Sequence, residues 1–228
     1  MNAKASWNPI WDQIYRNREW GKYPPEALIR FVARHYYKAP RRGDIQILDV
    51  GCGIGAATCY LCREGFQVTS IDGSDTAIRL LERRLKDEQL TARLICHDLS
   101  HLPFGDETFD CVIDLQCLMC NGRKITGQIV KEIWRVLKPC GRLFSYTPRT
   151  GCWGDGLGTE IDTHTFVNAQ EGPFANMGVV RFTAADEFQS LYQPLKVESL
   201  EYAEHSVLDR RHAISFWAAG CLKNGQKR

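Results

Sequence analysis

Apolar residues recur at helical spacing in the first part of the chain, then give way to short continuous apolar runs. Trp7, Trp11 and Tyr15 share one face of a helix predicted over residues 7–17. Pro24 and Pro25 open a second helix, along which Leu28, Val32 and Tyr36 keep the period. The polar stretch "KAPRRGD" predicts an exposed linker. From Ile45, "IQILDV" has the pattern of a buried strand, followed by a helix at 55–64. A strand at 66–71, a helix at 75–87 and strands at 92–96 and 109–115 come next, then a helix at 124–137 and a strand at 141–147. Strands separated by helices of this length predict βαβ units and a parallel sheet covered on both faces.

The rhythm stops at residues 148–182. Gly151, Gly154, Gly156, Gly158, Gly172 and Gly178 break that stretch and little periodicity survives, so a long functional loop is expected. A helix at 184–192 with Thr183 as N-cap follows. "LKVESLEYAE" and "HAISFWAAGCL" then predict an antiparallel hairpin at the sheet edge.

Composition narrows the class. With 228 residues, 44% hydrophobic and 25% charged, the chain fits one packed domain. A net charge of +2 argues for neither a nucleic-acid partner nor a membrane surface. No apolar window approaches the ~18 residues of a membrane span, and residues 1–25 lack the apolar stretch of a secretory signal. A cytoplasmic protein without membrane partners is expected. The ten cysteines are then reduced thiols. Cys59/Cys62 and Cys117/Cys120 have CxxC spacing, but they fall inside a helix and at a strand end. There cysteine serves as a small apolar filler, and no metal is expected.

The chemistry concentrates between Ile47 and Asp75, "ILDVGCGIGAATCYLCREGFQVTSIDGSD". Gly51, Gly53 and Gly55 join a strand to a helix, so backbone can approach a ligand without Cβ interference. With Ala56, the motif also satisfies a relaxed dinucleotide fingerprint. Asp49 decides between the two: a carboxylate two residues before the first glycine repels a pyrophosphate and welcomes an ammonium group. Asp72, ending the next strand, can accept ribose hydroxyls for either cofactor, and Asp98 in "ICHDL" can accept from an exocyclic amine.

Asp49-Val-Gly51-Cys-Gly53-Ile-Gly55, Asp72-Gly73-Ser74, His97-Asp98-Leu99, "FDCVIDLQCL" and "EIWRVLKPCGRLF" together resemble the class I S-adenosylmethionine-dependent methyltransferases. The resemblance covers residues 45–148 in order and spacing. It implies an α/β fold: a Rossmann-like, doubly wound, seven-stranded sheet, mostly parallel with an antiparallel C-terminal edge. It also implies S-adenosylmethionine as cofactor. The Gly51–Gly55 turn would hold the methionine and ribose, with Asp49 near the ammonium and Asp72 on the ribose diol. Gly73 and Ser74 would line the adenine, and Asp98 with the Leu99 amide would read its edge. Cys140 departs from the family by replacing the second glycine of the "LKPGG" turn. A looser likeness, carried by "WDQIY…W…YPPEALIRFV", "IDGSDTAI" and "GPFANMGVVRFTAADEF", is to bacterial small-molecule methyltransferases of saccharide pathways.

One methyltransferase domain over 1–228 is therefore expected, with a helical lid at 1–40, a cofactor core at 45–147, a substrate-side insert at 148–182 and a helix and hairpin at 183–222. The sulfonium already activates the methyl group, so alignment of the acceptor does most of the work. Asp114 is a further cofactor-site candidate. Gln116 and Asn121, beyond strand 109–115, are acceptor candidates, as are Arg149 and Trp153 in the insert; His164 is the candidate base. Tyr15, Trp20 and Tyr23 are expected in the lid, Tyr15 against the cofactor and the other two against the acceptor. The expected activity is methyl transfer to an O or N atom of a small polar metabolite, such as a sugar or sugar nucleotide. The alternatives are an RNA or protein methyltransferase, for which "RHYYKAPRR" offers a basic patch, and a non-catalytic cofactor-binding module.

Overall fold

The computed structural model describes residues 6–18 and 20–225. Helix α1 (Ile10–Asn17) begins later than predicted, because Pro9 takes the N-cap position and Asn8 Oδ1 accepts the Ile10 amide at 3.0 Å. Trp7 thus precedes the helix. Helix α2 (Glu26–Tyr36) starts directly after Pro25. The βαβ series then runs β1 (Gln46–Val50), α3 (Ala56–Arg63), β2 (Gln67–Asp72), α4 (Asp75–Asp87), β3 (Arg93–Cys96) and β4 (Phe109–Leu115). It continues through α5 (Arg123–Val136) and β5 (Leu137–Pro148). Cys140 lies in the β5 turn at φ 64°, the left-handed region that explains why glycine suits this position.

A small antiparallel sheet, β6 (Thr159–Asp162), β7 (Thr165–Val167) and β8 (Val180–Arg181), gives order to the glycine-broken insert. Strands this short leave no readable alternation between turns. Phe174 and Phe182 meet edge-on at 5.6 Å and tie the insert to the main core. The helix predicted at 184–192 is a 3-10 turn (Ala185–Glu187) and a single helical turn, α6 (Phe188–Leu191). Thr183 is not its cap: Ala184 holds that position, its amide donating to Glu187 Oε2 at 3.0 Å, and Thr183 Oγ1 has no hydrogen-bond partner among the described residues. The hairpin of β9 (Lys196–Val207) and β10 (His212–Leu222) completes the chain.

The main sheet has the order β3-β2-β1-β4-β5-β10-β9. The first five strands are parallel, and β10 runs antiparallel to both neighbours. This is the Rossmann-like arrangement expected, with the antiparallel strand lying just inside the edge strand β9. Alternate residues serve opposite faces, as a sheet covered on both sides requires. Ile47, Cys111, Ile113 and Phe144 pack with α2 and α3 residues such as Val32 and Leu61. Leu48, Val112 and Leu143 pack against Ile129, Val130 and Ile133 of α5 and Phe188 of α6. Each fully buried side chain of this size contributes about 1.5–3 kcal/mol relative to exposure. Strand order reverses between β1 and β4, and a doubly wound sheet opens its ligand crevice where those strands end. No helix among the described residues is long and apolar enough to cross a membrane.

Candidate functional site

The crevice is a cavity at the ends of β1, β2 and β4, roofed by α1 and the segment after it. Its base is the turn after β1. The Gly51 and Cys52 amides both donate to the Ile71 carbonyl, at 2.8 and 3.2 Å, which folds the turn back onto β2. Gly51 has φ 64°, and a Cβ there would overlap the Cys117 side chain. Gly53 has φ 52°, and a Cβ there would lie 2.9 Å from the Tyr15 hydroxyl. Both glycines line the cavity, whereas Gly55 sits behind it as the left-handed N-cap of α3.

Two carboxylates face this space, Asp49 and Asp72. Asp49 accepts from Thr58 Oγ1 at 2.6 Å. Burial pushes its carboxyl up to about 7, helped by the neighbouring Asp72 and Asp114 against the Thr58 bond. Asp72 accepts the Gly53 amide at 2.9 Å through Oδ2 and the Ser74 amide at 2.8 Å through Oδ1. Burial raises it to about 6 in spite of those bonds. No lysine or arginine is among the described residues lining the cavity. Two buried acids without a cation favour a positively charged ligand and oppose a pyrophosphate.

The remaining sequence candidates separate by position. Gly73, Leu99, Gln116 and Asn121 line the cavity, as do Tyr15, Trp20 and Tyr23. Gln116 is held at φ 63°, a strained conformation for a non-glycine residue, directly beyond β4. Trp11, Tyr15 and Trp20 form an aromatic group with ring centroids 5.7–6.1 Å apart. Burial and the nearby Asp72 hold the Tyr15 phenol well above its ordinary pKa, so it stays neutral.

Other candidates act behind the cavity wall. Ser74 caps α4, accepting the Ala77 amide at 3.0 Å, and donates to Asp12 Oδ1 of α1 at 2.6 Å. Asp114 accepts the Cys117 and Leu118 amides at 2.9 and 3.0 Å and Ser145 Oγ at 2.5 Å, fixing the loop that carries Gln116 and Asn121. Asp98 accepts the Ser6 amide at 2.9 Å, and hydrogen bonds from Ser100 and Ser6 outweigh burial to keep its carboxyl below the ordinary range.

Three candidates lie away from this space. Arg149 pairs with Glu204 at 3.5 Å and stacks over Tyr202 and Trp217. Trp153 stacks on His212 at 4.2 Å. His164 occupies the turn between β6 and β7, its amide donating to Glu160 Oε1 at 3.1 Å. None of the three lines the cavity.

Sequence reasoning missed several participants. Met177 reaches the cavity from the insert. Cys52, Cys117 and Cys120 also line it, with thiols raised by burial and nearby carboxylates, so they stay protonated. Arg181, fully buried, donates through Nη1 to the Leu118 and Asn121 carbonyls at 3.2 and 2.7 Å and to Thr126 Oγ1. It thereby clamps the loop from behind. Among the described residues no group of three or more acids, histidines or cysteines could hold a metal ion.

Comparison with known proteins bears on the same region. The family model described as "Methyltransferase domain" matches residues 48–145, from β1 through most of β5. Residues 48–145 are thus similar to a methyltransferase domain. The uncharacterized methyltransferase YodH of Bacillus subtilis is 36% identical over 106 residues, 46% of this chain. The chain spans under half the length of that relative, 44%. Among solved structures, a SAM-dependent methyltransferase from Methanosarcina mazei superposes with a TM-score of 0.71 at 22% identity, covering 85% of this chain and 97% of that one. The 1,6-didemethyltoxoflavin-N1-methyltransferase of Burkholderia thailandensis, solved with its acceptor and S-adenosylhomocysteine, superposes at 0.64 with 19% identity, covering 87% and 78%. S-adenosylmethionine is the cofactor that the sequence resemblance implies. The cavity fits it on its own evidence: a glycine cradle, two buried acids for a cationic nucleoside, and no cation among the described lining residues to meet a pyrophosphate.

Proposed function

We propose that this chain transfers the methyl group of S-adenosylmethionine to an O or N atom of a small, polar, uncharged metabolite such as a sugar. The carrying observation is the cavity lining: Asp49 and Asp72 together with aromatic rings and neutral amides, and no basic side chain among the described residues. When bound, the cofactor supplies an already activated methyl group. Asp49 holds the ammonium end, Asp72 accepts the ribose hydroxyls, and Asp98 with the Leu99 amide reads the adenine edge. The chain's remaining task is alignment, which accounts for as much as ~7–11 kcal/mol of a barrier.

Gln116 and Asn121 offer amide donors and acceptors to hydroxyls, and Trp11, Trp20 and Tyr23 offer flat apolar walls for a ring face. Tyr15, the described lining residues of segments 6–18 and 20–25 and the insert's Met177 exclude bulk water from the reacting atoms. A diphosphate has no cation to meet in this lining, which favours a free sugar over a sugar nucleotide. His164 does not line the cavity and so is not positioned there to take the acceptor's proton.

An RNA acceptor has less support. The arginines of "RHYYKAPRR" are engaged within the chain: Arg34 with Glu201 at 3.4 Å, Arg41 with Asp44 at 2.9 Å and Arg42 with Glu64 at 2.6 Å. The test is transfer of labelled methyl from the cofactor into fractionated cell extract. Label in small neutral metabolites supports the reading. Label confined to RNA or protein overturns it.

A further inference from the structure

We propose that Ser6 is an internal substitute for the adenine edge, and that the cofactor must displace it to bind. Asp98 Oδ2 accepts the Ser6 amide at 2.9 Å, and the Leu99 amide donates to Ser6 Oγ at 2.9 Å. One residue thus presents a donor and an adjacent acceptor to a carboxylate and the next backbone N–H. The amino group and neighbouring ring nitrogen of adenine present the same pair in the same order. The other oxygen of Asp98 is taken by the Ser100 amide at 2.8 Å and the Ser100 hydroxyl, so it offers the ligand no alternative.

The neighbouring contacts have the same character. Trp7 covers Gly73, where a Cβ would lie 2.5 Å from its ring, and both residues line the cavity beside Leu99. Residues 6 and 7 therefore cover the ground between the ends of β2 and β3. The helix behind them is anchored separately, with Asp12 accepting from Ser74 Oγ at 2.6 Å and from the Thr76 amide at 3.3 Å. Only the stretch around Ser6 and Trp7 has to move for an exchange, while α1 stays docked on α4. Cofactor affinity is then reduced by the fraction of molecules in which Ser6 occupies the site.

The inference rests on the placement of adenine at Asp98, and the experiment separates the two. Calorimetry with S-adenosylhomocysteine is run on the wild-type chain, on Ser6→Pro, which lacks both the N–H and the hydroxyl, and on Ser6→Ala, which keeps the N–H. Folding of each is checked by thermal melting. Ser6→Pro binds about tenfold tighter than wild type and Ser6→Ala by a smaller factor, the range expected when a charge-assisted hydrogen bond no longer competes. In ¹⁵N-resolved exchange on the wild type, the Ser6 amide loses protection when ligand is added, whereas the Leu99 amide stays protected. Unchanged or weaker binding by the Ser6 variants, or a Ser6 amide still protected in the complex, overturns the substitution. Asp98→Asn in the Ser6→Pro background reports the adenine contact alone. A loss there without tightening by Ser6→Pro leaves adenine at Asp98 and removes the competition; no loss removes both.

Discussion

The two cavity carboxylates make cofactor affinity depend on pH, with a sign that follows from their burial. In the free protein Asp49 is raised to about 7 and Asp72 to about 6, so both carry protons over part of the acid range. A cationic ligand favours their ionised forms and must expel those protons on binding. Affinity is therefore full above pH 7 and falls as pH drops, by up to tenfold per unit for each group still protonated. Between pH 8 and pH 5 this amounts to roughly 100-fold from Asp49 alone and up to about 1000-fold if Asp72 also ionises fully in the complex. Calorimetric titration with S-adenosylhomocysteine, repeated in buffers of different ionisation enthalpy, gives both the affinity and the proton count. At pH 6 the release is about one proton or slightly more. Asp49→Asn flattens the profile above pH 6. Thr58→Val, which removes the 2.6 Å bond to Asp49, moves the profile toward higher pH. An affinity constant within about threefold from pH 5 to 8, with no proton release, refutes the reasoning.

Three further outcomes are expected. Gly51→Ala combines a left-handed φ with overlap onto Cys117 and destabilises the chain by about 2–4 kcal/mol in urea unfolding. Adding Cys117→Gly recovers the overlap part only, because the next atom, Cys117 Cα, stands 3.6 Å away; no recovery contradicts the packing. Arg181→Met strips the Leu118 and Asn121 carbonyls of their buried donor and costs about 3 kcal/mol or more, read as a lowered thermal midpoint; an unchanged midpoint contradicts the clamp. If Gln116 binds the methyl acceptor rather than the cofactor, Gln116→Ala raises KM for the acceptor severalfold while leaving S-adenosylhomocysteine affinity within about twofold; a loss of cofactor affinity contradicts that role.

The cofactor half of this architecture was legible because its signals are local. A strand, a glycine turn and a helix are adjacent in sequence, and the acids at 49, 72 and 98 each end or follow a readable strand. The glycine missing at Cys140 even marked a left-handed turn. Contacts made over long separations were not legible. Arg149, an acceptor candidate by sequence, instead reaches Glu204 in β9. Ser6 meets Asp98 and Leu99 from 92 and 93 residues away, and no spacing rule encodes that. The period of Trp7, Trp11 and Tyr15 signalled one shared face, but periodicity cannot say whether such a face meets a core or a cavity. Thr183 had the residue type of a cap, yet the chain stays extended there and the turn starts one residue later.

A crystal structure of the chain with S-adenosylhomocysteine tests the central claim most directly. The account predicts the amino-acid end of the ligand over the Gly51–Gly53 turn beside Asp49, with both ribose hydroxyls on Asp72. Ligand density away from these two acids, or a pyrophosphate cofactor lying across the turn instead, would contradict it.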